Sequence, residues 1–284
     1  MSLSHPDNTL LWLLRGGAML CAAVVLLILA FLANESWPIL HHQAITHFFT
    51  DPSWHPTEGF YNLMPMLSAT FFSTLGALLL AIPLGIASAL FSCFYAPAWV
   101  AGSFRRLIEL LAGIPSVVYG FWGLTTLAPL IAQWQPPGLS LFTAMLILAL
   151  MILPTITLTA DAALTSIPAA LLRSGAALGF SRWGMISGIA LPAARSGISA
   201  GIMLATGRAI GETMALLMVA GNVVQNPHSI FDPVRTLTAN IALEMAFAMG
   251  DHRAALFVAG LLLMLLVLLL VYVSDLFIRV HPYA

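Results

Sequence analysis

Six long apolar runs dominate the chain, at 10–33, 63–94, 107–131, 139–160, 198–224 and 254–274. Each is near or above the roughly 20 residues that a helix needs to cross a hydrocarbon core. In lipid, backbone groups must pair within their own segment or in a closed barrel, so few architectures are open to such a chain. Barrel strands alternate over short segments, whereas these runs are continuous. The expectation is therefore an all-α, polytopic membrane protein with six transmembrane helices. Composition agrees: 60% of residues are hydrophobic, 7% are charged and the mean hydropathy is +0.97, which no water-facing surface sustains. The apolar part of the first run, 16–33, exceeds the roughly 7–15 residues of a signal-peptide core and is expected to remain attached.

Charge then sets an orientation. The chain contains no Lys, and its ten basic residues are all Arg. Arg15, Arg105, Arg106, Arg173, Arg182, Arg195 and Arg279 fall on the side shared by the two termini, while only Arg235 and Arg253 fall opposite. By the positive-inside rule both termini are expected in the cytoplasm, with 34–62 and 223–252 outside. A formal net charge of -1 and the lack of a basic cluster argue against nucleic-acid binding. Cys21 and Cys93 lie in predicted spans without ligand spacing, so they read as packing residues, with no metal or cofactor implied.

Arg208 and Glu212 stand out, because the surrounding stretch from Gly197 to Gly221 is otherwise free of charge. A charge at mid-membrane costs roughly 2.5–3.5 kcal/mol on insertion scales, and two of them four apart suggest a polar path on one helix face. The plainer reading is an ion pair that locks helices together, although Arg before Glu is the weaker order. Thr206 and Thr213 offer hydroxyls nearby. Elsewhere, Pro83 and Pro154 are expected to kink the second and fourth spans. Glu109 is in helical reach of Arg105 or Arg106, which predicts a local salt bridge.

The segment 161–196 is too polar to span and too patterned to be slack. Pro168 can start a helix, Gly179 can take the left-handed turn that ends it, and Ser181 can cap a second helix running through Trp183 towards Ile189, before Leu191 and Pro192. Trp183 and Leu172 read as exposed docking residues.

The spacing Gly179, Ile189, Leu191, Pro192 resembles the Glu-Ala-Ala coupling loop of ABC importer permeases. That resemblance implies a type I, MetI-like permease fold with a loop that seats in a cytoplasmic ATPase. One departure is notable: Arg173, Ser174 and Gly175 stand where the pattern has Glu-Ala-Ala. Two further stretches, Glu109 to Gly123 and Gly207 to Asn222, resemble the phosphate-specific transport permeases. The run Gly-Glu-Thr-Met-Ala at 211–215 is similar to their PstC-type subunit, since the PstA type usually reads Gly-Glu-Thr-Ala-Pro.

The resemblance implies a domain division at 1–62 and 63–284. It also implies a working assembly with a homologous PstA-type permease, two copies of an ATPase and a periplasmic phosphate-binding protein. Energy must come from those ATPases, because no P-loop occurs here and the chain is expected not to be an enzyme. Phosphate would cross beside Arg208, whose planar fork suits an oxyanion and which cannot deprotonate to escape burial. Glu212 is either the gating partner of Arg208 or the acceptor for a protonated phosphate oxygen, which sulfate lacks. A permease for sulfate, molybdate or phosphite would share the fold, and a phosphate-sensing scaffold would be indifferent to loss of Arg208.

Overall fold

The computed structural model describes residues 5–279, with side chains for 10–272. The chain ends expected in the cytoplasm, and the side chain of Arg279, lie outside the described residues. The first helix, α1, runs over His5–His42, well past the predicted end at 33. After one helical turn at His47–Thr50 comes a small hairpin, β1 (Trp54–His55) and β2 (Phe60–Tyr61), antiparallel with Trp54 opposite Tyr61. Helix α2 (Met64–Leu90) runs on through a wide π-turn to Tyr95. Pro83 sits inside it and Pro154 inside α5 (Leu141–Thr165), both within continuous helix.

The third predicted span, 107–131, is not one rod. Helix α3 (Ala98–Ala112) and the helical stretch Ser116–Ala132, whose first part is α4 (Ser116–Trp122), meet at 89°. Ile114 precedes Pro115, and the proline ring drives its predecessor out of the helical region, so the chain turns there. α3 is strongly amphipathic, which suits a helix lying along the membrane surface. Among the described residues five helices are long and apolar enough to cross a membrane, and the count is six if the bent pair is taken as one span.

After α5 come α6 (Ala169–Ala177) and the short α7 (Arg182–Met185), which a π-turn at Ile186–Ala190 joins to α8 (Leu191–Ile210). The predicted second loop helix is thus continuous with the fifth span, and Pro192, which has no N–H to give to the helical ladder, falls just after the π-turn. The fifth span also ends early. α8 stops at Ile210, and a separate short helix, α9 (Met214–Val219), follows. α10 (Leu237–Glu244) and α11 (Gly250–Arg279) complete the chain.

α5 is the central post and the most buried span. Its Ile147, Leu148, Met151, Ile152 and Ile156 meet small residues of α2 (Ala69, Ala77, Ala81) and of α8 (Ala205, Ala209). Small residues bring backbones close, which is how helices gain packing energy where lipid supplies no hydrophobic drive. A second cluster ties Phe48, Trp54 and Tyr61 of the hairpin region to Leu237 and Leu256. α1 rests on α11, with the Phe31 and Phe257 rings edge to face at 5.7 Å; its N-terminal part is exposed, and Ile39 near its other end is buried in the second cluster.

Candidate functional site

Arg208 and Glu212 do not share a helix face. Arg208 lies in the last turn of α8, roughly 25 Å along the axis from Leu191, and is exposed. Glu212 follows the helix end and is buried, with 9% of its surface accessible. Its Oε1 accepts the Ala215 N–H at 3.0 Å, and its backbone carbonyl accepts the Thr238 hydroxyl at 2.8 Å. Glu212 therefore caps α9 and moors it to α10. No ion pair joins Arg208 to Glu212 among the described residues, so the expected four-residue pairing is corrected: the helix it needs ends two residues short of Glu212.

Arg208 turns instead to α5, where Nη1 donates to the Thr155 hydroxyl at 3.3 Å. Tyr119 of α4 is within its electrostatic reach, and the Tyr119 hydroxyl donates to the Leu111 carbonyl at 2.9 Å, bridging the bend between α3 and α4. The other expected hydroxyls are elsewhere. Thr206 bonds back to the Ile202 carbonyl at 2.7 Å and lines an apolar groove of about 540 Å³ with Thr74 and Leu266. Thr213 bonds to the Gly211 carbonyl at 3.2 Å. Thr155 was the residue missed in the sequence, the first of three alternating threonines after Pro154.

The segment 161–196 forms the expected helical hairpin. Gly179 has φ +79°, a left-handed turn that favours glycine, and the Ser181 hydroxyl accepts the Gly184 N–H at 3.1 Å to cap α7. Gly175 explains one departure from the Glu-Ala-Ala pattern, because a Cβ there would lie 2.4 Å from Ile189 Cδ1. Ile189 is thus the peg that holds α6 against the π-turn, and Leu191 packs in the cluster below it with Ala194 and Ile198. Leu172 joins that cluster too, so it is not a docking residue. The exposed set is Leu171, Arg173, Leu178, Phe180 and Trp183. Beside them, Pro192 and Ile189 line an open groove of about 370 Å³ with Leu171 and Leu178. Arg182 stacks over the Tyr95 ring at 5.4 Å and ties α7 to the end of α2.

Two polar links were not legible in the sequence. Arg105 pairs across helices with Asp161 at 2.8 Å, not along its own helix with Glu109, and the Cys93 thiol donates to the same carboxylate at 3.3 Å. At the other end Glu244 gathers Arg235 at 2.6 Å, His252 at 2.9 Å and the Trp54 indole at 2.8 Å. Between α9 and α10 the loop 220–234 caps α5, since the Leu141 N–H reaches the Asp232 carbonyl at 2.9 Å. The Asp232 carboxyl is held below its usual range by the N–H groups of Ser229 and His228.

The chain matches the family of binding-protein-dependent transport system inner membrane components over residues 81–280. It is a member of that family. The matched region of this permease holds Arg208, Thr155, the α6–α7 hairpin and both partners of the Arg105–Asp161 pair, and leaves α1 and the β-hairpin outside. A probable ABC transporter permease, YqgH of Bacillus subtilis, is 38% identical over 87% of this chain and 81% of its own. Phosphate transport system permease proteins PstC of Mesorhizobium japonicum and Haemophilus influenzae are 35% and 31% identical, over 84% and 92% of this chain and 80% and 89% of theirs. Among solved structures, the methionine transporter MetNI in an inward-facing conformation has 19% identity and a TM-score of 0.59, covering 77% of this chain and 93% of that one. A bacterial importer of alginate has 18% identity and a TM-score of 0.63 over 96% and 97%. Both share the permease fold. Its place as a membrane subunit of an ABC importer fits a non-enzymatic role in a multi-pass inner-membrane assembly with an ATPase and a binding protein.

Proposed function

We propose that this permease carries inorganic phosphate inward across the inner membrane as the PstC-type half of an ABC importer. Its partners are a homologous PstA-type permease, two copies of a cytoplasmic ATPase that hydrolyse the ATP, and a periplasmic phosphate-binding protein. Both termini face the cytoplasm, which puts the α6–α7 hairpin beside the ATPase and the β-hairpin on the receptor side. The phosphate permeases among its relatives support the substrate, and Arg208 carries the mechanism.

A guanidinium exposed in the last turn of α8, on an otherwise apolar stretch, cannot face lipid without a penalty. Nor does a carboxylate neutralise it among the described residues. Its face therefore borders a polar surface, the path shared with the second permease, where an oxyanion meets a permanent positive charge and a planar donor fork. Glu212 fixes the break beside Arg208 instead of gating it, and Thr213 begins α9 at the same break. Thr206 faces the apolar groove and takes no part. On the ATPase side, Arg173 and Trp183 supply the docking contacts, and Gly179, Ile189, Leu191 and Pro192 make the hairpin rigid enough to pass motion into α8.

The test is ATP-driven uptake by the complete complex with its receptor in liposomes. Accumulation of phosphate is the expected result. Accumulation of sulfate or molybdate in its place, or ATP hydrolysis with no oxyanion uptake, overturns the reading.

A further inference from the structure

We propose that Thr155 is the second phosphate contact of the path, a hydroxyl that works beside Arg208 and helps select phosphate over fully ionised oxyanions. The inference rests on the phosphate reading above. Its starting point is hydrogen-bond polarity. A guanidinium has donors only, so in the 3.3 Å contact Arg208 Nη1 gives a proton and Thr155 Oγ1 receives it. The hydroxyl proton of Thr155 is thereby left to point elsewhere.

The neighbouring hydroxyls of α5 show what usually becomes of that proton. Thr157 returns it to the Leu153 carbonyl at 2.9 Å, Thr159 to Thr155 at 2.8 Å and Thr165 to Asp161 at 2.8 Å, each one turn back. Thr155 makes no such bond, and its hydroxyl has Arg208 as its one partner among the described residues. Pro154, directly before it, has no N–H of its own to continue the backbone ladder. Thr155 is half-buried and Arg208 exposed, at the edge of the core that holds Ile152 and Ile156.

A phosphate oxyanion at neutral pH carries both bare oxygens and a P–OH group. Arg208 can serve only the bare oxygens. The Thr155 hydroxyl can donate to one of them, or use its remaining lone pair to accept from P–OH. Sulfate offers no such proton, so it forfeits that second contact. Glu212 cannot fill this role, because its carboxylate is buried at the cap of α9.

The experiment uses the complete complex with its receptor in liposomes, measuring phosphate uptake and ATP hydrolysis together in wild type, Thr155→Val, Thr155→Ser and Arg208→Gln. Thr155→Val keeps the shape and removes the hydroxyl. Phosphate moved per ATP hydrolysed is expected to fall about tenfold, the loss of one hydrogen bond to a charged group. Thr155→Ser restores it to within about twofold. An unchanged ratio in Thr155→Val overturns the proposal, as does a Thr155→Ser variant as poor as Thr155→Val. Uptake and hydrolysis falling in parallel, with an unchanged ratio, marks Thr155 as structural support and overturns it too. If Arg208→Gln fails while Thr155→Val is normal, only the Thr155 proposal is lost; if the wild-type complex moves no phosphate, the underlying reading fails with it.

Discussion

The Arg105–Asp161 link should respond unequally to the loss of its two partners. Arg105 Nη2 lies 2.8 Å and 3.0 Å from the two carboxylate oxygens, and the pair joins the amphipathic helix α3 to the end of α5, just before the α6–α7 hairpin. The side chain of Asp161 keeps 10% of its exposure and that of Arg105 keeps 42%. Arg105→Met therefore strands a nearly dry carboxylate with only a thiol at 3.3 Å. Breaking a fully buried pair this way costs about 3–5 kcal/mol, and an exposed one about 0.2–1. With one partner dry and the other wet, roughly 1–3 kcal/mol is expected. Asp161→Asn frees a cation that already reaches water and keeps one acceptor oxygen, so its cost is on the order of 0.5–1.5 kcal/mol. The order of the two variants is the prediction, and at roughly 2–4 °C per kcal/mol it is resolvable in melting curves. Thermal unfolding of the purified protein in detergent, followed by tryptophan fluorescence, reads it directly. Adding Asp161→Asn to Arg105→Met should recover part of the loss. Greater damage from Asp161→Asn alone, or no change in either variant, would refute the reasoning.

Gly179→Asp should strain the left-handed turn of the hairpin and uncouple ATP hydrolysis from uptake while the protein still inserts; normal uptake at normal expression would contradict this. Gly175→Val should push Ile189 off its seat, overpacking at about 1–3 kcal/mol and lowering ATP-driven uptake, whereas exposed Ala176→Val should do neither. The lowered Asp232 carboxyl stabilises its loop above the ordinary carboxylate range, and that contribution is lost as pH falls through the folded value. Asp232→Asn should thus speed amide exchange of Ser229 at neutral pH, and the difference from wild type should vanish once the pH has fallen through the lowered folded value. Equal protection in both proteins at neutral pH would refute it. Exchanging Arg208 and Glu212 should not restore uptake, because Glu212 caps α9 and pairs with no arginine among the described residues; recovery in the exchange variant would reinstate the pair.

The spans were legible because a twenty-residue apolar window measures the one thing lipid demands. What the window averages away is direction. Gly113, Ile114 and Pro115 are plain in the sequence, yet the 89° turn they mark depends on α3 being amphipathic enough to stay at the surface. The reading of Arg208 and Glu212 assumed an unbroken helix across a uniformly apolar stretch. That helix ends because Glu212 turns to the α9 backbone and Thr238 pins its carbonyl, a tertiary contact that no local pattern reveals. The caps and turn of the α6–α7 hairpin were read well, since they are local chemistry: Ser181 and Gly179 act within a few residues of themselves. Partners of Arg105 and Glu244 were not readable, because they lie on helices far apart in the chain.

The central claim is that Arg208 is the fixed positive charge of a phosphate path. Its most direct test is the initial rate of phosphate uptake by Arg208→Gln in liposomes, with receptor and ATPase present and expression matched. Uptake should be abolished or sharply reduced, with the permease still assembled in its complex, because the anion loses the permanent positive charge beside the break between α8 and α9. Wild-type rates in Arg208→Gln would contradict the claim and leave Arg208 as a structural residue that holds α8 to α5 through Thr155.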